Sequence, residues 1–510
     1  MKALEEIELD SESIAYRGEG NATLVIALKD KGKVLRFQKY PNNQPIAYRN
    51  AIKADLQRHQ WFARNVLRRL ICKEMFDEPL LVMVSQKNME LINDLWNRCR
   101  PGYRICKVIP DQDSWALLLN DYCCLPISPS LPADYAVGPV ITVEIKPKQG
   151  FPPMINPNIC RFSLKQALKL GSFRSREESC YCPLDIFSGC HTRMEVAIKN
   201  LIRTPQNNFR VFRDSKLMYS DQNTKNLEAV LSGFLDENFN EDERSEQVLI
   251  SLIIDSLLLP FGEPTSSMIH AHSNEKQSYC SYHRHFSCDY DCTGNHKLHP
   301  ECVLATVLRL QMLDTIGSQG ALDIFNTLQC LSPDLISRLE GFGESPQDEA
   351  LFPFESLGSP ARLARESEVD FCMRKLLEYL ISLIAKDCSI MISMQRIENP
   401  CHNESTMRGN HQFMMPQKTR INKMKKAISR IYPNGCGNNN NHHYHLRNNS
   451  SENSSPRIRI IRDEINKSWY AVSIAITDLD FKKSSKIVQV YKREVKMIEA
   501  FNNRLAAGIT

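Results

Sequence analysis

YRGEGNATLVIAL, residues 16–28, decides how the first third of the chain is read. Gly18 and Gly20 stand just ahead of an apolar run, and glycine permits both a tight turn and a close approach of backbone amides to phosphate oxygens. A plain hairpin turn is the commoner reason for two such glycines. Residues 22–28 read as a strand after that turn, and residues 33–39, KVLRFQK, alternate and read as its hairpin partner. Outward from there, Ile52, Leu56, Phe62, Val66 and Leu70 recur at helical intervals across residues 47–72. Two more strands are predicted near 80–84 and 115–119. A sheet built around a glycine hairpin, with one long helix, is the outline of a kinase-like small lobe.

Further along, residues 140–146 (VITVEIK) predict a strand, and from residue 161 helices dominate: 161–170, 193–202, 226–238, 246–259 and 303–316. A helix over 367–385 runs into a strand over 388–395, and 457–463 with 469–477 predict a hairpin. Strands flanked by runs of helices give an α+β class. Four stretches read as insertions: 262–302, rich in His and Cys; 341–365; 398–420; and 435–455, a low-complexity Asn/His/Ser tract expected to be disordered.

Composition sets the limits. The 510 residues are 42% hydrophobic and 24% charged, enough for a sizeable core. Lys and Arg number 64 against 59 Asp and Glu, a net charge of +5. That argues against a direct nucleic-acid role but leaves room for a local basic pocket. The start, MKALEEIELD, is acidic and lacks the apolar core of a secretory signal. The greasiest stretch, 248–261, is interrupted by Asp255 and closed near Pro260, so no membrane insertion is expected. Eighteen cysteines without an export signal read as thiols, which points to the cytoplasm, the nucleus or both. A monomer is expected.

Several segments carry chemistry. In Glu144-Ile145-Lys146-Pro147-Lys148, a strand would turn one carboxylate and two ammonium groups to the same face. A charge-guarded edge strand is the plain alternative to a phosphate site. Arg161, Lys165 and Lys169 stack at intervals of four on a helix, which favours an external anion over mutual repulsion, against the alternative of an ordinary wet face. Asp478 and Asp480 close an apolar strand ahead of Lys482, Lys483 and Lys486, and carboxylates at a strand end suit magnesium. Asp387 falls where a helix becomes a strand. Cys280, His283, Cys288 and Cys292 lie in the His/Cys-rich stretch, and zinc takes such ligands. The spacing has no finger-like repeat, and a metal-free loop is the weightier alternative to a structural zinc.

Taken together, YRGEGNATLVIAL, VEIKPKQGF (143–151), CRFSLKQALK (160–169), YCPLDIFSG (181–189), TPQNNFRVF (204–212), AKDCSIMIS (385–393) and DLDFK (478–482) resemble the inositol-pentakisphosphate 2-kinases, in family order, across about residues 14–490. The resemblance implies a two-lobed, distant relative of the protein-kinase fold. Residues 1–121 would form the N-lobe with the ATP loop, and 122–510 a C-lobe with the inositol phosphate site. It implies ATP and Mg2+ as co-substrate and metal, and phosphorylation of the 2-hydroxyl of inositol 1,3,4,5,6-pentakisphosphate to give the hexakisphosphate, phytate. Neither a His-Arg-Asp loop nor an Asp-Phe-Gly motif is found, which separates the chain from ordinary protein kinases.

Residue by residue, the resemblance assigns Gly18, Gly20 and Asn21 to the loop over the ATP phosphates and Arg36 to a phosphate contact. Asn120, Asp121 and Tyr122 match the adenine hinge, and Glu144 a nucleotide-side acid. Arg104, Lys146, Lys148, Lys169, Asn208, Lys482 and Lys486 match substrate-holding positions, Asp387 the base, and Asp478 the magnesium ligand. The chain departs from the family pattern at Lys165, often histidine, and at Val490, where a nearby tyrosine is absent or shifted to Tyr491. A zinc site of plant members has no counterpart near Asp323. Five phosphate monoesters carry roughly −8 to −10, so a site for them needs many fixed cations. Competing readings are a non-catalytic inositol phosphate or nucleotide sensor, an enzyme for a lower inositol phosphate, and a zinc and RNA-binding protein, which leaves EIKPK and DLDFK unexplained.

Overall fold

The computed structural model describes residues 9–42, 47–126, 136–153, 159–171, 177–223, 226–235, 245–261, 298–340, 367–398 and 458–508. Cys280, His283, Cys288 and Cys292, and the insertions apart from residues 298–302 and 398, lie outside them.

The architecture is α+β, organised on two antiparallel sheets. The first has five strands: β1 (Ile14–Glu19), β2 (Thr23–Leu28), β3 (Lys33–Gln38), β5 (Leu80–Val84) and β7 (Ser114–Asn120), in the order β1-β2-β3-β7-β5. A two-residue pair, β4 (Tyr40–Pro41) with β6 (Lys107–Val108), lies beside it. The second sheet has six: β8 (Ala136–Ile145), β9 (Phe209–Arg213), β10 (Lys216–Tyr219), β11 (Ser389–Ile397), β12 (Arg459–Arg462) and β13 (Trp469–Thr477), in the order β10-β9-β8-β11-β13-β12.

The glycine segment differs from the sequence reading. It is not only a turn before a strand, because residues 14–19 themselves form β1, paired to β2 with a bulge between Tyr16 and Gly18. The predicted 33–39 partner is β3, with Val25 opposite Arg36. The long helix runs Ala47–Phe62, continues through a π-turn at Ala63–Leu67 and ends at Arg68–Leu70. A second helix, Gln86–Cys99, was not predicted; it buries Met89, Ile92 and Trp96 against the first sheet.

In the second sheet β8, β11 and β13 lie side by side, and their near-continuous apolar runs fit strands covered on both faces. The proline of EIKPK marks either an edge or an end of the sheet, and it is the end: β8 sits between β9 and β11, so it is not an edge strand, and it stops at Ile145, two residues before Pro147. The largest core cluster joins this sheet to the helices Arg161–Gly171, His191–Arg203, Ser245–Leu258, Val303–Gln311, Gly317–Leu331 and Glu368–Ala385. The helix read over 303–316 stops at Gln311, a further helix that was not predicted follows at Gly317–Leu331, and the 226–238 helix shortens to Leu227–Leu231, ended by Ser232 and Gly233. Gly233 takes φ 70, a left-handed conformation that suits glycine past a helix end.

Several links cross between the regions. The Ile476 amide donates to the Met75 carbonyl (2.8 Å), and Phe62 meets Phe481 edge-on at 5.4 Å. Among the described residues no helix is long and apolar enough to cross a membrane.

Candidate active site

Three segments end together at one side of the second sheet. β8 delivers Glu144 and the Lys146–Lys148 segment. The turn between the Glu368–Ala385 helix and β11 carries Asp387. β13 ends at Thr477, one residue before Asp478. The antiparallel register sets Met391 against Glu144 and Ser389 against Thr477, so charges more than two hundred residues apart in sequence become neighbours.

Lys146 Nζ reaches Asp478 Oδ2 at 2.5 Å and Glu144 Oε1 at 3.7 Å. Lys148 Nζ donates to Asp387 Oδ1 at 3.1 Å, and Lys482 Nζ stands 4.0 Å from Asp387 Oδ2. The Ser389 hydroxyl lies 2.9 Å from both Glu144 Oε1 and Asp478 Oδ2, and Arg210 pairs with the other Glu144 oxygen at 3.1 Å. Arg36 on β3 forms a bidentate pair with Asp480. The two acids of DLDFK have different hydrogen-bond partners, Lys146 for Asp478 and Arg36 for Asp480, while Arg36 acts electrostatically on both.

Lys148 and Asp478 both hold left-handed backbone, φ 63 and φ 60. Aspartate enters this region more readily than most side chains, whereas a lysine adopts it when its surroundings hold it there, at on the order of 1–3 kcal/mol. Those surroundings are explicit. Lys146 N–H donates to Asn208 C=O (2.9 Å), and the buried Tyr181 hydroxyl donates to Pro147 C=O (2.7 Å). Gln311 donates to Lys148 C=O (2.7 Å) and accepts from Gly150 N–H (2.8 Å). The side chains of Glu144, Lys146 and Lys148 thus converge by a turn of the chain past the strand end, not by strand alternation.

The electrostatics follow. The Asp387 carboxylate is 64% exposed, yet enough protein surrounds it that burial raises its pKa; Lys148, Lys482 and Lys146 outweigh this and hold it far below the usual carboxylate range. Burial also raises Asp478, but Lys146 and Arg36 bring it below its ordinary value. Asp480 goes down to about 2, burial being overcome chiefly by Arg36. Burial works against Lys146, but Asp478 and Glu144 raise it. Lys165 is driven down to about 7, first by burial and then by Lys148, with only Asp387 opposing strongly.

The remaining predicted residues divide. Lys169 binds Gln206, itself left-handed at φ 46, and Lys486 opens the last helix, bonding Gln489 at 3.0 Å. Asn208 is 2% exposed, and its Oδ1 has no hydrogen-bond partner among the described residues. Gly20 N–H closes the β1–β2 turn on Thr23 C=O (2.8 Å), and Lys107 Nζ donates to the Asn21 carbonyl (3.0 Å). Asn120 accepts from Lys33, Asp121 pairs with Arg17, and burial lifts the Tyr122 phenol well above its ordinary value. Arg104 stands near Lys39 and Arg100 beside the first sheet. Arg161, read as part of an anion-binding stack, instead pairs with Glu494 of the last helix (3.1 Å). Sequence reasoning gave no role to Ser389, Tyr181, Gln311 or His59, whose Nδ1 accepts from Phe481 N–H at 3.2 Å. The first two sit inside quoted motifs; nothing local marks the others.

Among the described residues no group of three or more His, Cys, Asp or Glu is placed to hold a metal. Magnesium does not need one, since it binds through one or two carboxylates plus phosphates and water. Asp478 supplies a hard oxygen of that kind.

Comparison with known proteins gives a consistent family. The family model for inositol-pentakisphosphate 2-kinase matches residues 16–496. The zebrafish (Danio rerio) inositol-pentakisphosphate 2-kinase is 27% identical over 423 residues, spanning 78% of this chain and 85% of its own. The Arabidopsis thaliana protein of that name is 29% identical over 436 residues, spanning 76% and 82%. The Drosophila melanogaster one is 25% identical over 312 residues, spanning 42% and 50%.

Proposed function

The chain belongs to the inositol-pentakisphosphate 2-kinase family, and on that premise we propose that it transfers the γ-phosphoryl group of ATP to the 2-hydroxyl of inositol 1,3,4,5,6-pentakisphosphate. The observation that carries this reading is the meeting of Lys146, Lys148 and Lys482 with Asp387 and Asp478 at one end of the second sheet. Cations anchored on two separate segments, Lys146 and Lys148 past β8 and Lys482 past β13, suit a ligand with many phosphates better than one with a single phosphate.

In this reading Lys146, Lys148, Lys169 and Lys482 hold substrate phosphates, with Lys486 and Arg104 at the margin, and the buried Asn208 supports the site through its carbonyl, which accepts from Lys146 N–H. The β1–β2 turn, with Gly18, Gly20 and Asn21, covers the ATP phosphates together with Arg36, and Asn120, Asp121, Tyr122 and Glu144 line the nucleotide side. Asp478 is the magnesium ligand. Magnesium, when bound, neutralises charge on the transferring phosphates. Asp387 orients the 2-hydroxyl and accepts its proton. A carboxylate locked to Lys148 is a poor base, so its role depends on substrate phosphate drawing that ammonium away. Positioning and charge supply most of the catalysis in such a transfer. The first sheet reads as the smaller lobe and the second as the larger lobe of a distant protein-kinase-like fold, acting as a monomer in the cytoplasm, the nucleus or both.

The test is product identification by 31P NMR after incubation with magnesium-ATP and the pentakisphosphate. Inositol hexakisphosphate is expected. A diphosphate product, no turnover, or a higher kcat/KM for a lower inositol phosphate would replace this substrate.

A further inference from the structure

We infer that Gln311 is the positioning residue that sets the Lys148 ammonium against Asp387, by fixing the backbone on both sides of that pair; the inference rests on the substrate reading above. Gln311 ends the Val303–Gln311 helix and is 0% exposed. Its single amide nitrogen donates to Lys148 C=O at 2.7 Å and to Ala385 C=O at 3.2 Å, while its oxygen accepts from Gly150 N–H at 2.8 Å. One side chain therefore grips the segment that presents Lys148 and the helix end that presents Asp387.

The grip is specific to an amide. Two carbonyls need two donors and one N–H needs an acceptor, and a primary amide offers both at once. Lys148 sits in left-handed backbone that a residue with a side chain does not take unaided. Gly150 is wedged from the other side, where a Cβ would run into the Phe187 ring. Three residues past Gln311, Asp314 takes Lys386 Nζ at 2.6 Å, so the same helix end also holds the residue beside Asp387.

Gln311→Met removes the donors and the acceptor at similar length, and Gln311→Glu removes the donors alone. Both are compared with wild type, and in a Lys148→Met background, by calorimetry with the pentakisphosphate and with magnesium-ADP, and by kcat. Pentakisphosphate affinity and kcat should fall about tenfold to a hundredfold, the scale of a misplaced reacting group. Magnesium-ADP affinity should stay within about twofold, and the pentakisphosphate defect should vanish when Lys148 is already absent, since coupled residues do not add. An equal defect in both backgrounds overturns the inference. So does loss of magnesium-ADP binding or of folding, which would make Gln311 a support of the fold alone. If wild-type protein fails to bind the pentakisphosphate, the substrate reading falls instead. The pair is then judged directly by 13C NMR titration of Asp387: its carboxyl should move up toward the ordinary value in Gln311→Met, and an unmoved titration overturns the inference.

Discussion

The polar groups of the first sheet and those at the end of the second are built for different ends. Around the glycine hairpin the charges form closed pairs. Lys39 meets Glu19 with side chains 1% and 0% exposed, and Arg17 meets Asp121 with almost no access to water. At the end of β8 and β13 the pairs are open: Lys146 and Lys148 are largely covered, but their partners Asp478 and Asp387 are 45% and 64% exposed. A closed pair holds structure, because neither ion can find another partner without unfolding. An open pair can exchange partners, which a site for a polyanion and a metal requires.

The largest effect should come from breaking a closed pair. Lys39→Met leaves Glu19 buried and uncompensated, which typically costs about 3–5 kcal/mol. Chemical denaturation should show that loss; a change under about 1 kcal/mol would mean Glu19 has another way to be satisfied. Next, Asp387→Asn should keep magnesium-ATP binding and lose roughly 10²-fold or more in single-turnover rate, whereas Asp478→Asn should weaken metal-dependent nucleotide binding as well, an amide being a poorer ligand for a hard cation. Loss of metal dependence in Asp387→Asn alone would reverse the two roles. Lys148→Met should weaken pentakisphosphate binding by on the order of tenfold to a hundredfold, as loss of a charge-assisted contact does, with nucleotide affinity little changed in calorimetry.

The smallest effect concerns pH. The Lys165 ammonium is held at about 7 in the folded chain, while an unfolded lysine titrates near 10.4. Between those values the unfolded chain binds more protons, so stability should rise as pH increases from about 7 toward 10, and the full penalty is present below 7. Lys165→Met should flatten that slope in denaturation curves. A bound polyanion favours the charged form, so binding at pH 8 should take up protons, seen as a dependence of calorimetric heat on buffer ionisation. No such dependence in wild type would mean Lys165 does not face the bound phosphates.

The sequence was most legible where periodicity and burial agree. The alternation of β2 and β3, the helical spacing through Val66 and the apolar runs of β11 and β13 needed no tertiary information. The Gln86–Cys99 helix was legible and was missed: Met89, Ile92 and Trp96 recur at intervals of three and four, the spacing of one helix face. The Gly317–Leu331 helix opens on Gly-Ser-Gln-Gly, which reads locally as a loop. Motif order pointed to Lys146, Lys148, Asp387 and Asp478, but not to who meets whom: the pairs span 332 and 239 residues. Left-handed backbone at Lys148 was illegible for a different reason, since no local preference of lysine favours it and long-range contacts hold it.

The π-turn at Ala63–Leu67 gives the long helix a property that neither end reveals alone. Ahead of it, Ile52 and Leu56 pack with Tyr40 and Leu117 of the first region; Phe62, Val66 and Leu67 belong to the core of the second. Each residue turns an α-helix by about 100°, and a π-turn is the trace of one residue more than regular winding accommodates. The helix is therefore a shaft whose two ends are keyed at a fixed angular offset. Lengthening or trimming it by one residue would rotate one set of keys out of its slots, so natural relatives should vary this stretch by substitution and place their insertions elsewhere.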